Sequence, residues 1–107
     1  MHAPATKSLA LPHSVEEVFA AVVKTVETGK FTMIAVDPGN SKASFGSGVT
    51  GFSWGNEYLA TVTPEPKGAL LEVVCGGIDG APKALMDKWK NGKKADKALA
   101  AIQANLG

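Results

Sequence analysis

The spacing of three glycines is the first feature of this 107-residue sequence that could carry chemistry. Gly46, Gly48 and Gly51, in the stretch FGSGVTGFSWGNE, follow the pattern G-x-G-x-x-G that cradles phosphates in dinucleotide-binding proteins. Such a site needs a strand before the glycines and a helix after them, because the helix N-terminus supplies the amides and dipole that hold the pyrophosphate. The residues that follow here have the pattern of a strand. We therefore predict a connection between strands and no nucleotide site.

Other residues that could carry chemistry are few and scattered. His2, His13 and Cys75 show no spacing typical of metal ligands. A nucleophilic Cys75 would need His13 as its base, but Cys75 falls on an apolar strand, where a buried thiol is the usual finding. No pair of carboxylates is identifiable for acid and base work. We predict that the protein is not an enzyme and that it uses no metal or cofactor.

The composition excludes several further classes of function. Eleven basic residues, all lysine, nearly balance ten acidic ones, and a net charge of +1 gives no overall attraction to nucleic acid. No stretch approaches the roughly 20 apolar residues that cross a bilayer, and the first residues do not have the pattern of a secretion signal. The single cysteine excludes an intrachain disulfide and fits a reducing compartment. We expect a cytoplasmic protein with no membrane span and no nucleic-acid partner.

The positive charge is concentrated at the end of the chain. Residues 81–107 hold six lysines and two aspartates, whereas residues 1–80 hold five lysines and eight acidic residues. On a helical projection four of these lysines fall within about 60° of one another: Lys83, Lys90, Lys94 and Lys97. Such a stripe is usually the solvated face of a helix, and the alternative is a surface for an anionic partner.

The most clearly marked element in the sequence is a helix that starts at a capping box. Ser14 followed three residues later by Glu17 satisfies free amides at a helix start, and apolar residues then recur at helical spacing. Gly29 is expected to end this helix in the left-handed conformation. Before the helix, LAL at 9–11 predicts a first strand, and residues 1–4 a flexible tail.

After Gly29 the apolar pattern changes to the period of a strand. Residues 31–36 and 42–46 are expected to pair as a hairpin, with Pro38 and Gly39 at the centre of a type II turn. NEYLATVT and ALLEVVC predict two further strands. No helix separates these four strands, so we expect antiparallel neighbours.

Residues 81–106 predict one long helix with Gly92 on its buried stripe, where a missing side chain lets the helix approach the sheet. The alternative is two shorter helices divided at Asn91 and Gly92. The chain is then one domain over residues 1–107, an α+β two-layer sandwich in which both helices cover one face of an antiparallel sheet, in the order β-α-β-β-β-β-α.

Because both helices are expected on one face of the sheet, its other face is left uncovered. Strand alternation sends five aliphatic side chains away from the helices, more than a solvated sheet face normally shows: Ile34, Val36, Leu59, Leu70 and Val74. We predict that this outer face joins two copies of the chain in a homodimer.

Two short motifs carry a resemblance to known proteins. SWGNE at 53–57 and DKWKNGKKADKALAAI at 87–102 resemble signatures of a small bacterial domain of unassigned function, in which a Ser-Trp-Gly segment precedes a strand and a Trp-Lys-Asn-like segment enters the last helix. The topology is similar to the TATA-binding-protein-like arrangement and, more distantly, to the helix-grip or Bet v 1-like lipid-binding folds. Neither likeness supplies catalytic residues.

Two functional hypotheses follow. The first is a non-catalytic interaction module that associates with itself through the outer sheet face. The alternative is a carrier of a small apolar ligand held between the last helix and the sheet, near Trp54, Met86 and Trp89. Ordinary core packing is the competing interpretation of the two tryptophans.

Overall fold

A computed structural model of the chain describes residues 2–50, 53–77 and 87–106. Its elements, in chain order, are β1 (His2–Leu11), α1 (Val15–Thr28), β2 (Phe31–Asp37), β3 (Lys42–Thr50), β4 (Ser53–Glu65), β5 (Gly68–Gly77) and α2 (Asp87–Ala104). The five strands form one antiparallel sheet in the order β1-β5-β4-β3-β2. The predicted α+β class and the element order are confirmed.

The capping box predicted at the start of α1 is present. The Glu17 amide donates to Ser14 Oγ at 3.1 Å, and the Ser14 amide donates to the Glu17 carboxylate at 3.4 Å. The prediction that Gly29 ends this helix in the left-handed conformation is wrong, because its φ is −95°. Glycine is needed there for space instead: a Cβ on Gly29 would lie 2.7 Å from the Thr25 carbonyl oxygen.

The turn between β2 and β3 also differs from the prediction. Residues Pro38–Asn40 form a 3₁₀ turn rather than a type II turn, and Ser41 is the residue that takes positive φ, at 51°. The Asn40 side-chain amide donates to Asp37 Oδ2 at 2.7 Å, a local bond that favours the tighter turn. The hairpin that this turn closes is as predicted.

The first strand is longer than the segment LAL. It begins at His2 and so includes three of the four residues expected to form a tail. Pairing with β5 is irregular between His2 and Ala5, where Ala3 has a positive φ of 46°.

The last helix is continuous across Gly92, so one helix, not two, occupies Asp87–Ala104. The predicted start near residue 81 lies outside the described residues. Gly92 is buried against β1, and a Cβ there would meet the Lys7 side chain at 3.6 Å and that of Ala5 at 3.8 Å. These are ordinary contact distances, so the approach of α2 to the sheet is close but does not require glycine.

The two helices cover one face of the sheet, the inner face, as the alternation predicts. The side chains of β4 and β5 that face the helices are buried, and buried side chains of α2 complete the core. The core residues of these elements are Tyr58, Ala60, Val62, Leu71, Val73 and Cys75 from the sheet and Ala95, Ala98, Leu99 and Ile102 from α2. Neither helix described is long and apolar enough to cross a membrane.

The prediction that Val36 lies on the outer face of the sheet is wrong. A bulge between Met33 and Ala35 shifts the register of β2 by one residue, so Val36 lies opposite Ala43, which faces the helices. Since paired residues on neighbouring strands share a face, Val36 belongs to the inner side of the sheet edge. Ile34, before the shift, keeps its place on the outer face, where its Cδ1 would lie 3.6 Å from a Cβ on Gly46.

Candidate functional site

Three aromatic rings pack together on the inner face of β2, β3 and β4, where Phe45 and Tyr58 are buried in the core and Phe31 is partly buried. Phe45 and Tyr58 are stacked with ring centroids 5.0 Å apart. The Phe31 ring meets both edge-on, with centroids 5.1 Å from Phe45 and 5.4 Å from Tyr58. The three residues, named here the aromatic cluster, are brought together by the register that places Phe45 opposite Tyr58. Edge-to-face and offset arrangements of this kind are the favoured geometries of aromatic packing.

The polar end of Tyr58 is held within the protein. Ser47 Oγ donates to the Tyr58 hydroxyl oxygen at 3.2 Å. Burial raises the pKa of Tyr58, and the Ser47 hydroxyl opposes this effect in part. The phenol is therefore a neutral group that can orient a polar ligand atom without adding charge.

Two residues further back along β4, a buried polar group adjoins the aromatic cluster. Asn56 Nδ2 donates to the Gly76 carbonyl at 3.1 Å and to Asn91 Oδ1 at 2.8 Å. Asn91 Nδ2 donates in turn to the Ala3 carbonyl at 2.9 Å. We call Asn56, Asn91 and Lys94 the amide cluster. It connects β1, β4 and β5 to the first half of α2.

Lys94 completes this cluster from the exposed side of α2. Its ammonium donates to Asn56 Oδ1. The neighbouring lysines have different contacts: Lys7 lies 3.8 Å from the Asp96 carboxylate, and Lys93 lies 4.2 Å from the centre of the Trp89 ring. Lys94 is thus a cation whose head group reaches a buried neutral amide, and this place in the structure was not apparent from the lysine stripe.

Cys75 lies on the inner face beside this cluster, opposite Tyr58. Its side chain is fully buried, and this burial raises the pKa of the thiol to about 11, against smaller opposing effects of Tyr58 and of the Lys94 charge. The thiol is therefore protonated at neutral pH, which does not favour a nucleophilic role.

The candidate pair of Cys75 and His13 is not brought together. His13 lies beside Gly68, at the start of β5, and its Nδ1 is 3.5 Å from the Glu17 carboxylate. Cys75 lies seven residues further along the same strand, roughly 23 Å away at about 3.3 Å per residue.

The residues predicted to hold a ligand have mixed positions. Trp89 was predicted to hold a ligand, with core packing as the alternative. Its side chain is not packed in the core but is 54% exposed, and it lines an open groove of about 960 Å³ between α2 and the edge strand β1. Trp54 lies on β4, opposite Val49 of β3. Met86 lies outside the described residues. A ligand-binding role for these three residues stays a prediction.

The glycine-rich stretch has the predicted strand context. Gly46 and Gly48 lie within β3, and Ser53–Glu65, which follows Gly51, is strand β4. The helix that a dinucleotide fingerprint needs after its glycines is replaced by a strand.

Four of the five predicted interface residues share the outer face. Leu59 lies opposite Val74, and Ile34 lies further toward the β2 edge. Ile34 is 60% exposed and Leu59 36%, whereas Leu70 and Val74 are half-buried. Thr61, Thr63 and Glu72 interrupt this surface.

Sequence reasoning missed the amide cluster. Asn56 lies within SWGNE and Asn91 within DKWKNGK, the two motifs that carry the resemblance, but only the tryptophans of these motifs were predicted to be functional. A usable signal was present, since an asparagine at an inward position of a strand, or on the buried stripe of a helix, needs a partner.

No protein-family model matches this chain, and no curated protein matches it by sequence. Solved structures do match in fold. Ara h 8.0201 aligns over 96% of both chains with a TM-score of 0.65 and 12% identity. Protein MLL2253 from Mesorhizobium loti aligns over 96% of this chain and 93% of its own, with a TM-score of 0.64 and 14% identity. Protein CV1439 from Chromobacterium violaceum aligns over 96% of both chains with a TM-score of 0.60 and 14% identity.

These similarities show the fold of the protein. Ara h 8 has the Bet v 1-like architecture, so the chain is an α+β protein that resembles the helix-grip fold. At identities of 12–14% the likeness concerns the fold alone.

Proposed function

We propose that the protein is a non-catalytic carrier of a small apolar ligand, bound between α2 and the inner face of the sheet. One observation supports this most directly: the aromatic cluster and the amide cluster are continuous along β4, with Tyr58 and Asn56 two residues apart on the same face. Small-molecule sites are typically concave and apolar with a few well-placed polar groups, and this stretch has that composition. Phe45 and Tyr58 are buried in the core, so the ligand would bind beside Phe31, the partly exposed ring of the three.

The cost of burying amides supports a role beyond packing. A buried side-chain amide is stabilising only when its hydrogen bonds are made, and apolar residues would fill the same space without that requirement. Asn56 and Asn91 are both buried, and each uses its amide to hold the other element in place. Groups fixed in this way present a rigid polar end to a ligand whose body lies on the rings.

The test is binding of an uncharged apolar probe, 1-decanol, measured by isothermal titration calorimetry together with the melting temperature. We expect saturable binding and a higher melting temperature, since a ligand of the native state adds RT ln(1 + [L]/Kd) to stability. Phe31→Ser removes one ring of the aromatic cluster and should weaken binding several-fold. Ile34→Ser, on the outer face of the same strand, is the matched control and should bind as the parent does.

Three results would contradict the proposal. One is a parent that binds neither 1-decanol nor other apolar compounds of similar size. The second is Phe31→Ser that folds, by its far-ultraviolet circular dichroism, and binds with unchanged affinity. The third is equal weakening by Ile34→Ser, which would place the ligand on the outer face.

A second candidate function is self-association through that outer face, and the exposure of Ile34 and Leu59 favours it. Fully burying a large aliphatic side chain contributes about 1.5–3 kcal/mol. Several such side chains from each partner are of the size needed to offset the roughly 4–15 kcal/mol of freedom lost on association. A homodimer would leave the inner face available, so the two functions are compatible.

A further inference from the structure

The outer edge of β1 is a row of backbone hydrogen-bonding groups. β1 is the last strand at one side of the sheet, and its pairing with β5 is regular from Ala5 to Leu11. Every second residue of an edge strand turns its backbone N–H and C=O groups away from the sheet. Among the residues that the structure describes, no strand pairs with these groups. The seven residues of this regular stretch, about 23 Å long at about 3.3 Å per residue, can therefore accept a further strand.

A groove with an apolar and a charged surface lies beside this edge. Its walls are residues 4–7 of β1 and the side of α2 that carries Trp89, Lys93 and Asp96. The Trp89 ring is exposed, and the Lys93 ammonium lies over it at 4.2 Å from the ring centre. No carboxylate of the described side chains lies within ion-pair distance of this ammonium. The groove thus combines a strand edge, an exposed ring and a cation without a carboxylate partner.

The spacing of the groups on α2 fits an extended chain. The helix runs along β1, since the Asn91 side chain bonds to the Ala3 carbonyl and Asp96 lies 3.8 Å from the Lys7 ammonium. Trp89 and the lysine one turn later are separated by a rise of about 6 Å, at about 1.5 Å per residue. Side chains on one face of a strand, two residues apart, are separated by about 6.8 Å. An added strand can therefore place two successive side chains of one face on the ring and at the ammonium.

The charge beside the groove favours an acidic partner. Between Trp89 and Lys97, α2 holds four lysines and one aspartate. A second copy of the chain would bring like charges together at this edge, and lysines on an edge strand are a common means of preventing such pairing.

We propose that the β1 edge binds an extended acidic segment of a partner protein. The segment adds to the sheet as a further strand, with an apolar side chain on the Trp89 ring and a carboxylate at the Lys93 ammonium. This surface lies on the β1 side of α2, apart from the carrier site proposed beside Phe31. The inference therefore does not depend on the carrier function.

The experiment measures the fluorescence anisotropy of a labelled seven-residue peptide with the sequence TETLTET, which reads the same in both directions. The full chain should bind this peptide saturably. Trp89→Ala should weaken binding at least about tenfold, since an exposed ring of this kind acts as the apolar anchor. The parent should bind TETLTET several-fold more tightly than TQTLTQT, and Lys93→Gln should abolish this preference. Lys24→Gln, an equal loss of charge on α1, is the control and should retain it.

Methylation of the peptide amides separates strand addition from side-chain contact alone. Two versions of TETLTET carry methyl groups on alternate backbone nitrogens, one on the even positions and one on the odd. Only one of these sets faces β1 in an added strand, so one version should lose binding at least about tenfold and the other should keep it. Equal effects of the two versions would overturn the proposal.

Three further results would overturn it as well. One is a parent that binds none of these peptides. The second is equal affinity of the parent for TETLTET and TQTLTQT, because the carboxylate would then make no contact with the cation. The third is a dimer of the parent that dissociates in Trp89→Ala, which would assign the groove to a second copy of the chain.

Discussion

Asn56 of β4 and Asn91 of α2 are joined by a 2.8 Å hydrogen bond between side chains that lie 35 residues apart in the sequence. The bond links the inner face of the sheet to the helix that covers it, and both residues are buried. It also orients the amide oxygen of Asn56 that accepts a hydrogen bond from the Lys94 ammonium. The same pair therefore positions α2 and forms the polar end of the candidate site.

Removing this link should lower stability. Asn91→Ala leaves the Ala3 carbonyl without its donor and takes one of two acceptors from Asn56 Nδ2, so we expect a loss of about 1–3 kcal/mol in the free energy of unfolding. Urea denaturation measures this. Asn40→Ala, which removes an exposed bond to Asp37, is the control and should cost less than about 0.5 kcal/mol. Equal effects of the two changes would show that the buried pair is not a structural link.

Two glycines should respond to alanine in opposite directions. Gly68 has φ 152°, and a Cβ there would lie 2.1 Å from the Leu11 carbonyl oxygen, so Gly68→Ala should destabilise the fold by several kcal/mol. Gly92→Ala adds a methyl group at contact distance within a helix and should be neutral or stabilising by about 0.5–1 kcal/mol. Denaturation midpoints compare the two. A strongly destabilised Gly92→Ala would mean that α2 lies closer to β1 than the structure has it.

Stability should fall in alkaline solution because of Cys75. Burial raises the pKa of its thiol to about 11, above the value of about 8.5 in an unfolded chain. The folded chain then holds this proton more tightly, so the stabilisation is complete below pH 8.5 and is lost as the pH rises toward 11. Urea denaturation at a series of pH values measures the loss, which should be smaller in Cys75→Val. A fall of the same size in that variant would assign the effect to other groups, Tyr58 first among them.

The outer sheet face should hold two copies together. We expect the parent to sediment as a dimer at high micromolar concentration. Leu59→Lys and Val74→Lys, made singly, should dissociate it without changing the far-ultraviolet spectrum. Val36→Lys is the matched control, because the β2 bulge removes Val36 from that face. A monomeric parent would refute self-association, and a dimer indifferent to the first two changes would place the interface elsewhere.

The parts of the fold that local patterns determine could be predicted from the sequence. The Ser14 and Glu17 capping box marks the start of α1, and strand alternation assigns Leu71 and Val73 to the core. Both follow from hydrogen bonds or burial within one element. The bulge that moves Val36 could not be predicted in this way, because one extra residue in a strand leaves the apolar pattern almost unchanged.

The candidate site was less predictable because its contacts are long-range. Asn56, Asn91 and Lys94 meet only after β4 and α2 have packed, and no spacing in the chain relates them. The sequence predicted a ligand site at the tryptophans, yet Trp89 lies on the side of α2 that faces β1, away from the amide cluster. The tertiary structure determines which group forms a hydrogen bond with a buried polar side chain, so the sequence indicates only that such a partner is needed.

The most direct test of the carrier function is a nitrogen-15 correlation spectrum recorded while 1-decanol is titrated into the labelled protein. The side-chain amides of Asn56 and Asn91 and the Trp89 indole each give their own signal in this spectrum. We predict saturable shifts of the two amides, with the Asn105 amide, which bonds to Thr25, little changed. Shifts of the Trp89 indole alone would place the ligand in the β1 groove, and a spectrum unaltered by the probe would contradict the carrier function.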